Sequence, residues 1–117
     1  MLTLRREQVE VLSESAMKDF EDLMVPHLKK FYPEFYEAAG PAKVKEFIRL
    51  GVKRAGSYYI TAKKDVSRYI DLMASLGADF DKNPDLPWAG EILRTRNSAD
   101  TRINILLKTA AKHLKGA

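Results

Sequence analysis

AKVKEFIRLGVKRA, residues 42–55, is the stretch that decides the fold. Its apolar residues recur at steps of three and four, which places them on one face of an α-helix: Val44, Phe47, Ile48, Gly51, Val52 and Ala55. Gly51 falls on that face, where the missing side chain lets a second helix approach closely, at a cost of about 1 kcal/mol relative to alanine. The segment therefore predicts a buried, closely packed helix over residues 42–56.

A second helical pattern precedes it, over residues 4–31. Thr3 is expected to cap this helix, and its buried face is predicted to carry Val9, Leu12, Ala16, Phe20, Leu23 and His27. Pro26 lies inside the pattern, so the helix is expected to kink or to divide there. Pro33 is expected to open a short helical turn, which ends at Gly40-Pro41.

Further helices are predicted downstream. Thr61 is expected to cap a helix over residues 62–76, which buries Val66, Tyr69, Ile70 and Met73 and ends at Gly77 in a left-handed conformation. Residues 78–87 are predicted to form an ordered loop, and Pro87 to open a short helix with Trp88, Ile92 and Leu93.

A last helix is predicted after a cap at Asn97 or Ser98, with an inner face of Ile103, Leu106, Leu107, Ala110 and Leu114. No segment alternates with a period of two for long enough to predict a strand. The sequence therefore predicts one all-α domain over residues 1–117, a compact bundle of five to six helices.

Composition narrows the functional classes. The chain has no cysteine, which excludes disulfides and thiolate chemistry, and no run approaching the ~18 apolar residues that a membrane span needs. The net charge of +4, from 20 basic and 16 acidic residues, is spread along the chain and favours no class of ligand. A cytoplasmic protein that does not enter membranes is expected.

The sequence contains one candidate metal motif, and it departs from the calcium-loop pattern at two required positions. Asp79-x-Asp81-x-Asn83-x-Asp85 begins like a calcium loop, but the sixth position is Pro84 and the twelfth is Gly90. We therefore expect local Asx turns at this loop, with no metal and no cofactor.

Catalysis is not indicated either. His27 and His113 are far apart in sequence, and the carboxylate pairs Asp19/Asp22 and Glu34/Glu37 have a spacing common on solvated helices. A protein that is not an enzyme is predicted.

Aromatic residues give the strongest indication of binding. Phe31, Tyr32, Phe35 and Tyr36 are too close in sequence to all point inward, and tyrosine and tryptophan are preferred anchors at protein interfaces. Partner contacts are therefore predicted at two places. The first is this aromatic turn, and the second is the loop before the predicted Trp88 helix, through Phe80, Leu86 and Trp88.

Nucleic-acid binding is an alternative. Helices 42–56 and 62–76 are consistent with a helix-turn-helix in which Lys63, Lys64 and Arg68 face phosphates. Asp65 and Asp71 would repel the nucleic-acid backbone, so this alternative is less favoured.

Three runs of sequence, IRLGVKRA (48–55), YITAKKDVSRYIDLM (59–73) and LGADFDKNPDLPWAGEIL (76–93), resemble a family of short bacterial proteins. Its members are typically encoded beside type VI secretion components: a spike protein, its PAAR tip, a toxic effector and an effector-loading adaptor chaperone. The resemblance implies a co-chaperone role, similar to the co-TecT type of adaptor partner, and implies no catalytic residue. An accessory protein that binds an adaptor chaperone, an effector or a spike component is therefore expected, with an immunity protein that neutralises a toxin as a further alternative.

Overall fold

A computed structural model describes residues 13–116, and this part of the chain is all α-helical, which confirms the predicted fold class. Within it no strand occurs, and the elements are α1 (Glu14–Phe31), α2 (Pro33–Ser57), α3 (Lys63–Leu76), a 3-10 turn (Phe80–Lys82), α4 (Pro87–Leu93) and α5 (Ala99–Gly116). The predicted helix start at residue 4, the Thr3 cap, and Val9 and Leu12 lie outside the described residues. No helix of residues 13–116 is long and apolar enough to cross a membrane.

α1 is one continuous helix, so the predicted division at Pro26 does not occur. It begins after Ser13, whose Oγ accepts a hydrogen bond from the Ala16 amide at 3.1 Å. Pro26 removes one backbone donor, but it lies on the exposed side, where water can hydrate the carbonyl left without a partner. Burial of the opposite face keeps the helix intact.

The buried face of α1 differs from the predicted one. Phe20, Met24 and Leu28 are almost completely buried, whereas Leu23 is 66% exposed. The predicted face is therefore wrong at Leu23, and the true core stripe is displaced around the helix by about one residue.

α2 consists of two helical segments that meet at Gly40, where φ is 83° and ψ is 162°. This confirms the boundary predicted at Gly40-Pro41, and glycine is the residue that takes a positive φ at least cost. Two residues beyond the last residue of α2, Tyr59 has a φ of 61°. Tyr59 donates its amide to the Gly56 carbonyl at 2.8 Å and Ile60 donates to Ala55 at 2.9 Å, the hydrogen bonds of a Schellman motif.

α3 packs against α2 at Gly51. A β-carbon at Gly51 would overlap Ile70 Cγ1 and lie 3.2 Å from Met73 Sδ, so the predicted close approach is confirmed. The predicted Thr61 cap is wrong, since α3 begins at Lys63 and its N-cap is Ala62, with no side-chain hydrogen bond. Gly77, with φ of 108°, ends α3 as predicted.

The last two helices are joined by a buried arginine. Arg102 is 7% exposed and donates to the carbonyls of Leu93 at 2.8 Å and Asn97 at 3.0 Å. Pro87 opens α4 as predicted, and Ser98 Oγ accepts from the Thr101 amide at 3.2 Å, which confirms the predicted cap of α5.

The inner face of α5 is confirmed only in part. Ile103, Leu106 and Ala110 are buried, and Leu107 packs partly against the core. Leu114 is 52% exposed, so its predicted burial is wrong. It lies close to the C-terminal end of α5 at Gly116.

Each of the five helices described in residues 13–116 contributes to one hydrophobic core. α1 packs on α2, α2 on α3 and α3 on α5, while α4 packs against the 3-10 turn and α5. The largest fully buried side chains are Tyr69, Phe80, Leu28, Ile48, Ile60, Ile70, Met73, Leu93, Ile103, Leu106 and Val44.

Candidate protein-binding surface

The outer side of α1 carries three large side chains at four-residue spacing, Leu23, His27 and Phe31, which we call the α1 stripe. Residues four apart on a helix share a face. Leu23 is 66% and Phe31 58% exposed, and the His27 and Phe31 ring centroids are 4.9 Å apart. Lys30 Nζ lies 5.2 Å from the centre of the Phe31 ring. An uncovered apolar strip of this kind is typical of binding surfaces.

A groove lies between the α1 stripe and the first turns of α3, and we call it the α1–α3 groove. Its volume is about 310 Å³, and it is lined by Phe20, Leu23, Met24, His27, Lys63, Lys64 and Ser67. Phe20 and Met24 form an apolar floor, because both also belong to the hydrophobic core. Lys63, Lys64 and Ser67 form the side of the groove that belongs to α3.

His27 is fixed by a contact across this side of the molecule. Its Nε2 lies 2.8 Å from Asp71 Oδ1 on α3, and both side chains are partly buried. Burial raises the pKa of Asp71, and the hydrogen bond and charge of His27 oppose that rise. The pair joins α1 to α3 beside the groove and holds the imidazole in place.

A serine also lines the groove, which invites comparison with a hydrolytic triad. Ser67 Oγ, however, donates to the backbone carbonyl of Lys64 at 2.7 Å. No hydrogen bond between Ser67 and His27 occurs in the described residues, so the nucleophile–base contact that such a triad requires is not formed.

The aromatic turn is mostly packed against the core. Tyr32, Phe35 and Tyr36 are partly buried, and the Phe35 ring lies 4.5 Å from that of Phe47. Phe31 is the member of the predicted set that faces solvent with most of its side chain. Partial exposure of the set was predicted from the sequence, and the exposed part is continuous with the α1 stripe.

The predicted contacts in the loop between α3 and α4 require correction. Phe80 is completely buried and Leu86 is 5% exposed, so neither presents its side chain to a partner. The Phe80 ring packs 5.2 Å from the Tyr69 ring in the core. Trp88 is partly buried, with its ring centroid 5.9 Å from that of His113 on α5.

Phe80 is buried because the neighbouring polar residues attach the loop to α2. Asp81 accepts a hydrogen bond from Tyr58 Oη at 2.6 Å and lies 3.7 Å from Arg54 Nη1, which also pairs with Asp79. Burial, together with the hydrogen bond to Asp81, raises the pKa of Tyr58 to about 12. We call these four residues the Asp81 cluster, and their arrangement serves to anchor the loop.

Asp79 pairs with Arg54, and Asp81 contacts both Arg54 and Tyr58, so two of the acidic residues of this loop have partners in or next to α2. Asn83 Oδ1 accepts from the Asp85 amide at 2.8 Å, which confirms the Asx turn predicted there. Across the part of the chain that the structure describes, no three acidic or histidine side chains come together in a way that could hold a metal ion.

The basic residues of α3 are largely engaged in ion pairs. Arg68 donates to Asp65 and Asp100, both at 2.9 Å, and Lys64 Nζ lies 3.8 Å from Asp100. These contacts reduce the positive charge that the proposed helix-turn-helix could offer to phosphates. Lys63 differs, because among residues 13–116 no carboxylate lies within ion-pair distance of it.

The two predicted contact regions are separate. α1 makes no close contact with the 3-10 turn, α4 or α5. Phe31 therefore belongs to one surface and Trp88 to another. Of the two, the α1 stripe leaves more apolar surface exposed.

Sequence periodicity did not identify Leu23 and His27 as surface residues. α1 carries two adjacent apolar stripes, and only one of them can face the core of a small bundle. The signal that could have identified them is that α1 has more large apolar residues than one core-facing stripe needs. Which stripe is buried depends on how α2 and α3 pack, and periodicity in α1 alone does not contain that information.

Comparisons with known proteins add no relative: no protein-family model, curated protein or solved structure matches the chain.

Proposed function

We propose that this protein is a non-catalytic binding module that recognises another protein through the α1 stripe. The observation that carries the proposal is the exposure of Leu23 and Phe31 on one side of a helix whose other side is fully packed. Covering a large apolar side chain in an interface is worth about 1.5–3 kcal/mol before the costs of association. Two such anchors on a rigid helix are a sufficient centre for an interface.

The stripe is suited to binding because its central side chain is already held in place. His27 is held by Asp71, and Lys30 lies near the Phe31 ring. The imidazole of His27 therefore has little freedom to lose on binding, which reduces the entropic cost of association. A partner would therefore meet a preformed apolar strip.

The partner that we propose is a component of a type VI secretion effector cluster: an adaptor chaperone, an effector or a spike protein. This part of the proposal is supported by the resemblance of residues 48–93 to accessory proteins encoded in such clusters. On this proposal the protein acts in the bacterial cytoplasm as a co-chaperone during effector loading.

Co-purification with the products of the neighbouring genes tests the proposal. The wild-type chain is expected to co-elute with one of them in size-exclusion chromatography, and Leu23→Ala and Phe31→Ala are each expected to weaken the complex about tenfold. Leu114→Ala is the matched control, because Leu114 is another exposed large apolar residue, at 52%, on the distant helix α5.

Two results would contradict the proposal in different ways. If the wild-type chain binds none of these products, the secretion assignment is wrong. If it binds one of them but the α1 variants bind as tightly as the Leu114 control, the assigned surface is wrong.

A further inference from the structure

We propose that the α1–α3 groove binds an acidic amphipathic α-helix of the partner. The inference rests on the proposed function and specifies the chemistry of the segment that the α1 stripe recognises. A helix that binds in a groove buries its apolar face against the floor and places charged residues along the rim. The α1–α3 groove has an apolar floor of Phe20 and Met24 and two lysines in its lining, so it can meet both faces of such a helix.

The shape of the groove fits a helix. Phe20 and His27, the first and last residues of α1 that line the groove, are seven residues apart, so the groove is about 10 Å long along α1, which corresponds to about two turns of a bound helix. Phe20 and Met24 supply the floor, and Leu23 supplies an exposed wall. A partner helix would insert leucine-like side chains at positions i, i+3 or i+4 and i+7.

The charges at the rim select an acidic partner. The lining contains Lys63 and Lys64 and no carboxylate, and both lysines are exposed. Because Lys64 also pairs with Asp100, Lys63 is the lining lysine that has no acidic partner among residues 13–116. Lys30 adds a further cation near Phe31 at the other end. Asp19, one turn before Leu23, does not line the groove. Glutamate or aspartate flanking the apolar face of a bound helix would therefore find opposite charge.

A matched pair of designed peptides tests the proposal. Each has about 18 residues, enough to form a helix when bound, with leucine along one face. One carries glutamate at the remaining positions and the other carries lysine. Fluorescence anisotropy of the labelled peptides with the full chain measures both affinities.

The wild-type chain is expected to bind the glutamate peptide about tenfold more tightly than the lysine peptide. Lys63→Glu with Lys64→Glu is expected to reverse this preference, and Leu23→Ala to weaken binding about tenfold. Lys43→Glu with Lys45→Glu, two exposed residues of α2, is the control and should retain the wild-type preference. Glutamates near the start of α3 complement the helix dipole, so the charge-reversed variant should fold, as circular dichroism would verify.

Several outcomes would overturn the inference. These are equal affinity for the two peptides, no binding of either, or an unchanged preference after reversal of Lys63 and Lys64. A dimer in sedimentation equilibrium that Leu23→Asp dissociates would assign the groove to a second copy. If the chain prefers the glutamate peptide but co-elutes with no product of the neighbouring genes, the groove assignment stands and the proposed secretion role is rejected.

Discussion

At the scale of single residues, Asp81 shows how a buried carboxylate fixes the conformation of a loop. Its side chain is 2% exposed, and it has Tyr58 Oη at 2.6 Å and Arg54 Nη1 at 3.7 Å as partners. A buried charge is tolerated only with such partners, because the interior replaces water poorly as a solvent for ions. The contacts hold the backbone so that the adjacent Phe80 enters the core.

Two tyrosines near Asp81 are expected to respond differently to loss of the hydroxyl. Tyr58→Phe removes the hydrogen bond to the carboxylate and should lower the free energy of unfolding by about 1.5–3 kcal/mol. Tyr69 Oη is buried and has no hydrogen-bond partner in the described residues. Tyr69→Phe should therefore lower the free energy of unfolding by less than about 0.5 kcal/mol, or should raise it.

Urea unfolding of both variants, followed by circular dichroism, measures the difference. The two substitutions remove the same atom from neighbouring rings, whose centroids are 6.4 Å apart, so each serves as the control for the other. Equal losses of stability, or a larger loss for Tyr69→Phe, would show that the Tyr58 contact is not what holds the loop.

At the scale of elements, the contact between α2 and α3 depends on Gly51. Gly51→Ala is expected to lower the free energy of unfolding by about 1–3 kcal/mol, because the new methyl group overlaps Ile70 and crowds Met73. Alanine has the higher helix propensity by about 1 kcal/mol, so local preference and packing act in opposite directions here. Packing is expected to dominate, since Ile70 and Met73 are both enclosed by the core.

Chemical unfolding of Gly51→Ala beside Lys53→Ala checks this expectation. Lys53 is exposed on the same helix, so its replacement changes helix propensity without entering the contact with α3. If Gly51→Ala is as stable as Lys53→Ala or more so, the helices are not held as closely as the structure places them.

Local rules predicted the features that depend on local chemistry. Backbone restrictions explain the kink at Gly40, the end of α3 at Gly77 and the start of α4 at Pro87. The cap at Ser98 forms because its hydroxyl reaches a backbone amide that has no partner within the helix. Gly51 was predictable because it interrupts an otherwise regular apolar face.

The predictions of burial and exposure were wrong where residues distant in sequence determine which side chains are covered. Leu23 and Met24 are adjacent and both apolar, and only the position of α2 and α3 determines that Met24 is buried. Phe80 and Leu86 lie in a segment without periodicity, so their burial depends on contacts such as that of Asp81 with Tyr58. The candidate surface was thus predictable at Phe31 and not at Leu23.

At the scale of the whole molecule, polar contacts reinforce the apolar core by joining helices that are distant in sequence. Arg49 of α2 pairs with Glu21 and, at 3.0 Å, with Glu14 of α1. Arg68 of α3 pairs with Asp100 of α5. The carboxylates of Glu14 and Asp100 are largely exposed, and such pairs contribute little to stability individually, whereas Glu21 is buried and needs Arg49 as its partner. The core must therefore provide most of the cohesion.

Because one core includes residues of all the helices, unfolding is expected to be a single cooperative transition. α1 contributes Phe20 and α5 contributes Leu106 to the same cluster, so neither helix can detach without exposing core surface shared with the others. Differential scanning calorimetry should give equal calorimetric and van't Hoff enthalpies, of about 80 kcal/mol for a chain of 117 residues. Leu106→Ala should lower the melting temperature while keeping one transition. Two transitions, or a van't Hoff enthalpy well below the calorimetric one, would instead show that some helices unfold as a separate unit.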